Sequence, residues 1–399
     1  MRIGVGYGVM DTAEPFLRQD RFEQQVARLQ ALLEATRHVH STIRVHDVLL
    51  QTADILVREL ELPGAVFLDP VSQQPLIARG DLPSPPYAGC HRFPLLSREH
   101  QSLADLVVAT ADCAPLTLYE QDFVEGLVLQ TAVALENAHL HERDIEWARV
   151  QQDLHAARSL QRSLLPKAMP EIPGYSLAAR STTCYEVGGD YLDVLPLPDG
   201  THLMVVADVA GKGLASAIVA TSFRTALRSL ASQPLPLADL AARIGQQHWE
   251  EGAEARRRYM TALFLRLQPT TGKLQIVNAG HNPAALLLRD GSVRMLEASG
   301  PPLGMLPDMS YSAETLDFPP GSRLLLYTDG LTEVFREDEE FGTERLINTF
   351  RAARSANAEP ILDVLWDTLG SFSLNAPQTD DMTALAICHL DSSQQEIHP

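Results

Sequence analysis

The sequence predicts an α+β protein of two domains joined by a long helix, the second domain an α/β/β/α sandwich. Three observations carry this. At 399 residues the chain exceeds the size at which one core usually stops growing. Between Phe123 and Leu165 neither Gly nor Pro follows Gly126, so one helix of about 40 residues, ~60 Å at 1.5 Å per residue, separates the halves. Beyond it, strand patterns form antiparallel hairpins with helices inserted in pairs. That arrangement suits two stacked sheets flanked by helices better than a doubly wound parallel sheet.

Composition narrows the function classes. A net charge of −19 leaves no basic patch to displace phosphate counterions, which argues against nucleic acid and anionic membranes as partners. The apolar runs are too short for a bilayer, and MRIGVGYGVMDTAEPF lacks a charged-then-apolar signal pattern. Cys90, Cys113, Cys184 and Cys388 show no CxxC spacing, which predicts a reducing, cytoplasmic setting without structural zinc.

Residues 1–20 have no periodicity and are left unassigned. Residues 21–140 are expected to form the first domain. Phe22, Val26, Leu29, Leu32, Leu33 and Thr36 recur at threes and fours, predicting a helix over Phe22–His40, and Val45–Leu60 repeats the pattern. Gly64–Asp69, Pro75–Arg79, His91–Leu96 and Leu103–Ala109 then predict strands between Pro-rich turns. Over 123–165, Leu129, Val133, Glu136, Leu140, Arg143, Trp147, Val150, Leu154, Ala157, Gln161 and Leu164 follow four-three spacing. This is a heptad seam with three polar intrusions, predicting a parallel coiled coil and hence a homodimer. Pro166 and Pro170 end the helix and open the second domain, 166–392.

That domain starts with a hairpin, Tyr191–Leu197 and His202–Ala207, around a Pro198-Asp199-Gly200 turn. Helices Leu214–Ser232 and Leu237–Glu251 follow, then strands Met260–Leu267, Lys273–Asn278, Ala284–Arg289, Val293–Leu296, Tyr311–Phe318 and Arg323–Thr328. Helices near Thr343–Arg354 and Pro360–Ser371 precede the last strand, Thr383–His389; the acidic run Glu337–Glu340 reads as a solvated loop.

Carboxylates stand at these strand ends. Asp190 opens the first hairpin strand and Asp208 closes the second, so antiparallel pairing brings them together, and such a pair repels unless a cation intervenes. Gly188 and Gly189 precede Asp190, and glycine there lets the Val209 carbonyl also face an ion. Asp329 follows the apolar run Leu324–Tyr327, and Asp380 with Asp381 precedes the final strand. Oxygen ligands alone suit Mg²⁺ or Mn²⁺ rather than zinc.

Taken in order, EVGGDYLDV, ADVAGKG, NAGHNP, LLLYTDGLTEV and TDDMTAL resemble the protein phosphatase 2C superfamily in its bacterial sporulation- and sigma-factor-regulator branch. The resemblance covers about 158–390, including the lead-in SLQRSLLPKAMP. It implies hydrolysis of phosphoserine or phosphothreonine on a protein, an anti-anti-sigma-type factor by analogy, by hydroxide bound to two Mn²⁺ or Mg²⁺ ions. Carried over by position, Asp190, Asp208, Asp329 and Asp380 hold the ions, with Asp208 bridging, the Val209 carbonyl contributing and Asp381 the alternative to Asp380. Lys212 either meets the substrate phosphate or is a solvated loop lysine. His281 either shapes its turn or takes part in the chemistry, and Glu186 and Asp193 either bond the ions' waters or are exposed strand ends. Ala210 stands where eukaryotic relatives place a histidine general acid, and only Arg180 offers itself for their phosphate-gripping arginine.

The first domain resembles a GAF domain in its order of elements and in its closing helix Gln130–Arg143, QTAVALENAHLHER. That implies a small-molecule or protein signal, against the simpler alternative of a dimerisation module. For the whole chain, the alternative to a regulated phosphatase is a catalytically inactive phosphoprotein-binding or sensor scaffold of the same fold.

Overall fold

The computed structural model describes residues 26, 29–166, 168–374 and 376–391. The segment 1–20 and the expected helix start at Phe22 lie outside them. The chain divides into two compact units, Met1–Val150 and Gln151–Pro399, the boundary falling within one helix.

The first unit contains helices α1 (29–39) and α2 (Val45–Glu59), strands β1 (Gly64–Leu68), β2 (Pro75–Gly80), β3 (His91–Leu96) and β4 (Ser102–Ala109), and the start of α3 (Leu118–Leu164). The antiparallel sheet has the order β2-β1-β4-β3. Because successive side chains on a strand point to opposite faces, Ala65 and Phe67 join Leu106 and Val108 in the core that the helices cover. Val66, Leu68 and Val107 form a smaller cluster on the other side.

Helix α3 runs 47 residues, ~70 Å, and starts five residues before Phe123, the expected start. The cause is a capping box: Glu120 Oε2 accepts from Thr117 N at 2.6 Å while Thr117 Oγ1 accepts from Glu120 N at 3.3 Å. Phe123, Val124, Leu127, Thr131, Leu135 and Ala138 form its buried stripe. From 139 to 150 every residue is exposed. The heptad-seam residues Leu129, Leu140, Trp147 and Val150 all lie on the solvent side of the helix.

The second unit continues with β5 (Tyr175–Thr182), β6 (Tyr191–Pro196), β7 (His202–Val209), α4 (Leu214–Ala231), α5 (Leu237–Glu250), α6 (Ala253–Arg256), β8 (Met260–Gln268) and β9 (Lys273–Ala279). After these come β10 (Ala284–Leu287), β11 (Val293–Leu296), β12 (Glu314–Asp317), β13 (Arg323–Tyr327), β14 (Phe335–Arg336), β15 (Glu339–Glu340), α7 (Gly342–Ala352), α8 (Ala358–Ser373) and β16 (Met382–His389). Two five-stranded sheets result, ordered β12-β9-β8-β7-β6 and β11-β10-β13-β16-β5.

Alternation along β7 shows how the layers arise. Leu203, Val205 and Ala207 pack with Phe223, Leu227 and Leu240 of α4 and α5, while Met204 and Val206 meet Leu324, Leu326, Leu385 and Ile387 of the opposite sheet. On that sheet's outer face Leu325, Tyr327 and Ala386 pack with Ile361 and Leu365 of α8. The α/β/β/α layering follows from these three cores.

Strand β5 and the ribbon β14–β15 also differ from expectation. Strand β5 was not expected, because YSLAARST has weak alternation; pairing with β16 along its whole length, Tyr175↔His389 to Thr182↔Met382, makes it a strand. The acidic run 337–340 is partly ordered as the ribbon β14–β15, where Arg336 and Arg345 both pair with Glu339. Among the described residues no helix is long and apolar enough to cross a membrane.

Candidate metal centre

Strand register assembles the site. Tyr191 pairs with Ala207, so Asp190, one residue earlier, stands across from Asp208 at one end of its sheet. In the other sheet Tyr327 pairs with Ala384, and Thr328 N donates to Thr383 O at 3.0 Å, so Asp329 and the Asp380-Asp381 pair flank the same edge. Thr328 Oγ1 crosses between the sheets and donates to Asp190 Oδ2 at 2.8 Å.

The electrostatics reflect how close these carboxylates are. Burial, reinforced by Asp208, holds the Asp190 carboxyl well above the usual carboxylate range. Burial first, and then Asp329, Asp380 and Asp381, push Asp208 up to about 7. Asp329 is raised by burial and by Asp380. Asp381 is raised by burial, against the opposing pull of backbone N–H donors. Those donors are Cys184 N to Oδ1 and Gly189 N to Oδ2, each at 2.8 Å.

The glycine pair is required by close approach. A Cβ on Gly188 would lie 2.3 Å from Asp381 Oδ2, and one on Gly189 would lie 2.9 Å from the Val209 carbonyl oxygen and 3.4 Å from Asp208 Oδ1. Any other residue here would push the acids and that carbonyl apart.

Lys212 sets a positive charge into this cluster. Its Nζ pairs with Asp380 Oδ2 at 2.9 Å and donates to the Thr379 carbonyl, so it is a partner of the acids rather than a free loop lysine. Among the described residues, no group of three or more His, Cys, Asp or Glu is already drawn into a coordination cage. Asp380 is turned to Lys212, Asp381 to two N–H groups and Asp190 to Thr328. The donor set itself fits a hard divalent cation. It offers only oxygens, and the carboxylates are held up by burial and mutual repulsion that such an ion relieves.

Other residues singled out from the sequence have structural partners. Asp193 accepts from Arg228 Nε at 2.8 Å, from Arg228 Nη2 at 2.9 Å and from the Tyr191 hydroxyl at 2.5 Å, an ion pair on the α4 side rather than a bond to an ion's water. Arg180 pairs with Glu359 and Asp363 and stacks over Trp366, which removes it from any phosphate-gripping role. The NAGHNP turn is built by Asn278, whose Oδ1 accepts from His281 N at 2.8 Å. Buried His281 shares a 2.7 Å hydrogen bond with Thr261 Oγ1, opposite Asp208, and burial pushes its imidazole down to about 4.

Three residues near the site were missed. Thr328 orients Asp190. Glu333, four residues after Asp329, is raised by burial, Asp329 and Asp380, and its spacing was the available signal. Gln161, near the end of α3, donates through Nε2 to Gly188 O at 2.7 Å and accepts from Gly188 N at 3.2 Å. A seam position gave no hint of that clamp.

Residues 198–390 match the family model described as Stage II sporulation protein E (SpoIIE). Protein IcfG of Synechocystis is 28% identical over 261 residues, 59% of this chain and 41% of that protein. Phosphoserine phosphatase RsbP of Bacillus subtilis is 27% identical over 188 residues, 46% of this chain and 45% of that protein. The chain thus spans less than half the length of either relative. The solved SiaA-PP2C domain of Pseudomonas aeruginosa superposes with a TM-score of 0.54 at 20% identity, covering 62% of this chain and 99% of that one. At that identity the likeness concerns the fold alone.

Proposed function

We propose, from the premise that the C-terminal domain is a SpoIIE-type phosphatase domain of the protein phosphatase 2C superfamily, that this chain is a signal-regulated, Mg²⁺- or Mn²⁺-dependent protein serine/threonine phosphatase. Its substrate is a phosphorylated regulatory protein, an anti-anti-sigma-type factor by analogy with the branch. One observation carries the reading: buried and half-buried carboxylates from the ends of both sheets gather where desolvation and mutual repulsion hold them above the ordinary carboxylate range. Natural proteins seldom retain such a cluster without a cation or a reaction to use it.

In this reading Asp190, Asp208, Asp329 and Asp380, with the Val209 carbonyl, hold two ions. Bound there, the ions supply activation of water and neutralisation of the phosphoryl oxygens. Asp380 is preferred to Asp381 because both oxygens of Asp381 are already committed to the 184–189 loop, whereas Asp380 accepts from Asp381 N through Oδ1 alone and frees Oδ2 by releasing Lys212. Asp381 fixes that loop, Thr328 orients Asp190, and a released Lys212 is free to meet a phosphoryl oxygen.

The first unit acts as a GAF-like sensor of a small-molecule or protein signal, and the exposed seam of α3 pairs two copies into a dimer. Gln161 links the end of α3 to Gly188, and a shift of the helix reaches the loop that Asp381 holds.

The deciding experiment is hydrolysis of p-nitrophenyl phosphate and a phosphoserine peptide with Mn²⁺, Mg²⁺ or EDTA, for wild type, Asp208→Asn and Asp329→Asn. Metal-dependent turnover lost in both variants supports the reading. A wild type that neither turns over nor binds Mn²⁺ replaces it with the inactive scaffold.

A further inference from the structure

Beside the carboxylates lies a groove of about 290 Å³ between the C-terminal half of α8 and the two loops that carry Asp329 and Asp380. Its walls are apolar: Val334, Phe335, Trp366, Leu369 and Met382. Phe335, on the two-residue strand β14, is 38% exposed, although a phenyl ring gains nothing from water there. Two polar side chains at the rim, Gln378 and Thr379, are spent within the protein. Gln378 Nε2 donates to Thr182 O at 2.9 Å, and Thr379 Oγ1 donates to Glu333 O at 2.9 Å. The groove therefore selects by shape and hydrophobicity.

Two features say what fills it. The groove shares its backbone with the catalytic centre: Gly330 and Thr379, which line it, are the immediate chain neighbours of Asp329 and Asp380. A segment that presents a phosphoryl group to those acids therefore lies against the same two loops that wall the groove. Its volume, at the lower end of the ~300–1,000 Å³ of small-molecule sites, has room for one large side chain.

We infer that this groove is a specificity subsite that receives a large apolar side chain (Leu, Ile, Phe or Met) of the phosphorylated segment of the substrate protein. Because the loops that wall the groove also carry Asp329 and Asp380, that side chain lies near the phosphoserine in the substrate's sequence. The inference rests on the phosphatase reading of the adjoining site and adds to it the sequence class of the substrate.

Gly370 offers a direct test. It lines the groove from α8, and a Cβ built on it meets nothing within 4 Å, so Gly370→Leu adds bulk there without a backbone clash. Phe335→Ser, on the exposed ribbon, removes a wall instead. Alanine-background phosphoserine peptides carrying one Leu at each position within about four residues of the phosphoserine are compared with the all-Ala peptide, by turnover with Mn²⁺ and by fluorescence anisotropy. The expected result is a preference of about tenfold for Leu at one or two positions, falling towards unity in both variants. Equal turnover and binding of all peptides by wild type, or a preference untouched by both variants, overturns the groove while leaving the phosphatase intact. A wild type that hydrolyses neither peptides nor p-nitrophenyl phosphate, yet binds Leu peptides more tightly in a Gly370-dependent way, supports the groove and overturns the phosphatase reading instead.

Discussion

Thr328 Oγ1 donates to Asp190 Oδ2 at 2.8 Å, joining residues 138 apart in sequence and ending strands in opposite sheets of the sandwich. The same hydroxyl accepts from Thr383 N at 3.0 Å. One fully buried side chain thus fixes an acid of one sheet to the strand pair of the other.

Thr328→Val keeps the shape and removes the hydroxyl, leaving a buried carboxylate oxygen and the Thr383 N–H without it. The expected cost is about 1–3 kcal/mol in urea unfolding, with weaker Mn²⁺ binding, and Thr328→Ser restores most of both. Wild-type behaviour of the valine variant in both measurements contradicts the assignment.

Without a cation, the carboxylate cluster makes stability fall as pH rises. Asp208 titrates near 3.8 when unfolded and at about 7 when folded, so the folded protein holds more protons between those values. The stabilisation is full below about pH 4 and is lost as pH rises through about 7; Asp190, Asp329 and Asp381 act in the same direction. In EDTA the melting temperature is expected to drop across this window, less steeply in Asp208→Asn, while millimolar Mn²⁺ flattens the profile. A flat profile in EDTA contradicts the repulsion on which the metal assignment rests.

Asp193 separates structural acids from those of the site. It is 1% exposed and its carboxylate faces α4, bound by Arg228 and Tyr191. Asp193→Ala is expected to cost about 2 kcal/mol, less than a fully buried pair because Arg228 can turn to water, with little change in p-nitrophenyl phosphate turnover. Loss of turnover in a folded protein would return Asp193 to the site.

What could be read from the chain alone followed physical period. The β6–β7 hairpin, its turn and its terminal acids were legible because alternation, Pro-Asp-Gly and strand-end aspartates are local signals. Strand β5 was not, because its identity comes from pairing with β16, some two hundred residues away. The roles of Thr328 and Gln161 are equally non-local: a threonine after a strand and a glutamine on a helix seam carry no mark of the acid or glycine they bind. Asp193 and Lys212 show the converse, their types being visible in the sequence while their partners decided what they do.

Gln161 is expected to matter for ion binding without touching an ion. Gln161→Leu removes both bonds to Gly188, next to the N–H that holds Asp381. Loss of such an outer partner typically weakens metal binding by about tenfold or more, which Mn²⁺ calorimetry measures. Unchanged affinity would mean that the glycine loop keeps its shape without α3.

The seam of α3 gives the last prediction. Leu140 is 52% and Trp147 66% exposed, on a helix whose buried stripe already ends at Ala138, so the apolar seam is not consumed by the fold around it. Exposed leucine and tryptophan at heptad spacing gain about 1.5–3 kcal/mol each when buried against a second helix, and a charge at the same place opposes that pairing. Sedimentation should find a dimer for wild type and a monomer for Leu140→Glu combined with Trp147→Glu, with helix content nearly unchanged because glutamate is a good helix former. A wild-type monomer at micromolar concentration would instead leave the seam as a helix face without a second copy, and regulation would have to pass along a single chain through the Gln161–Gly188 contact.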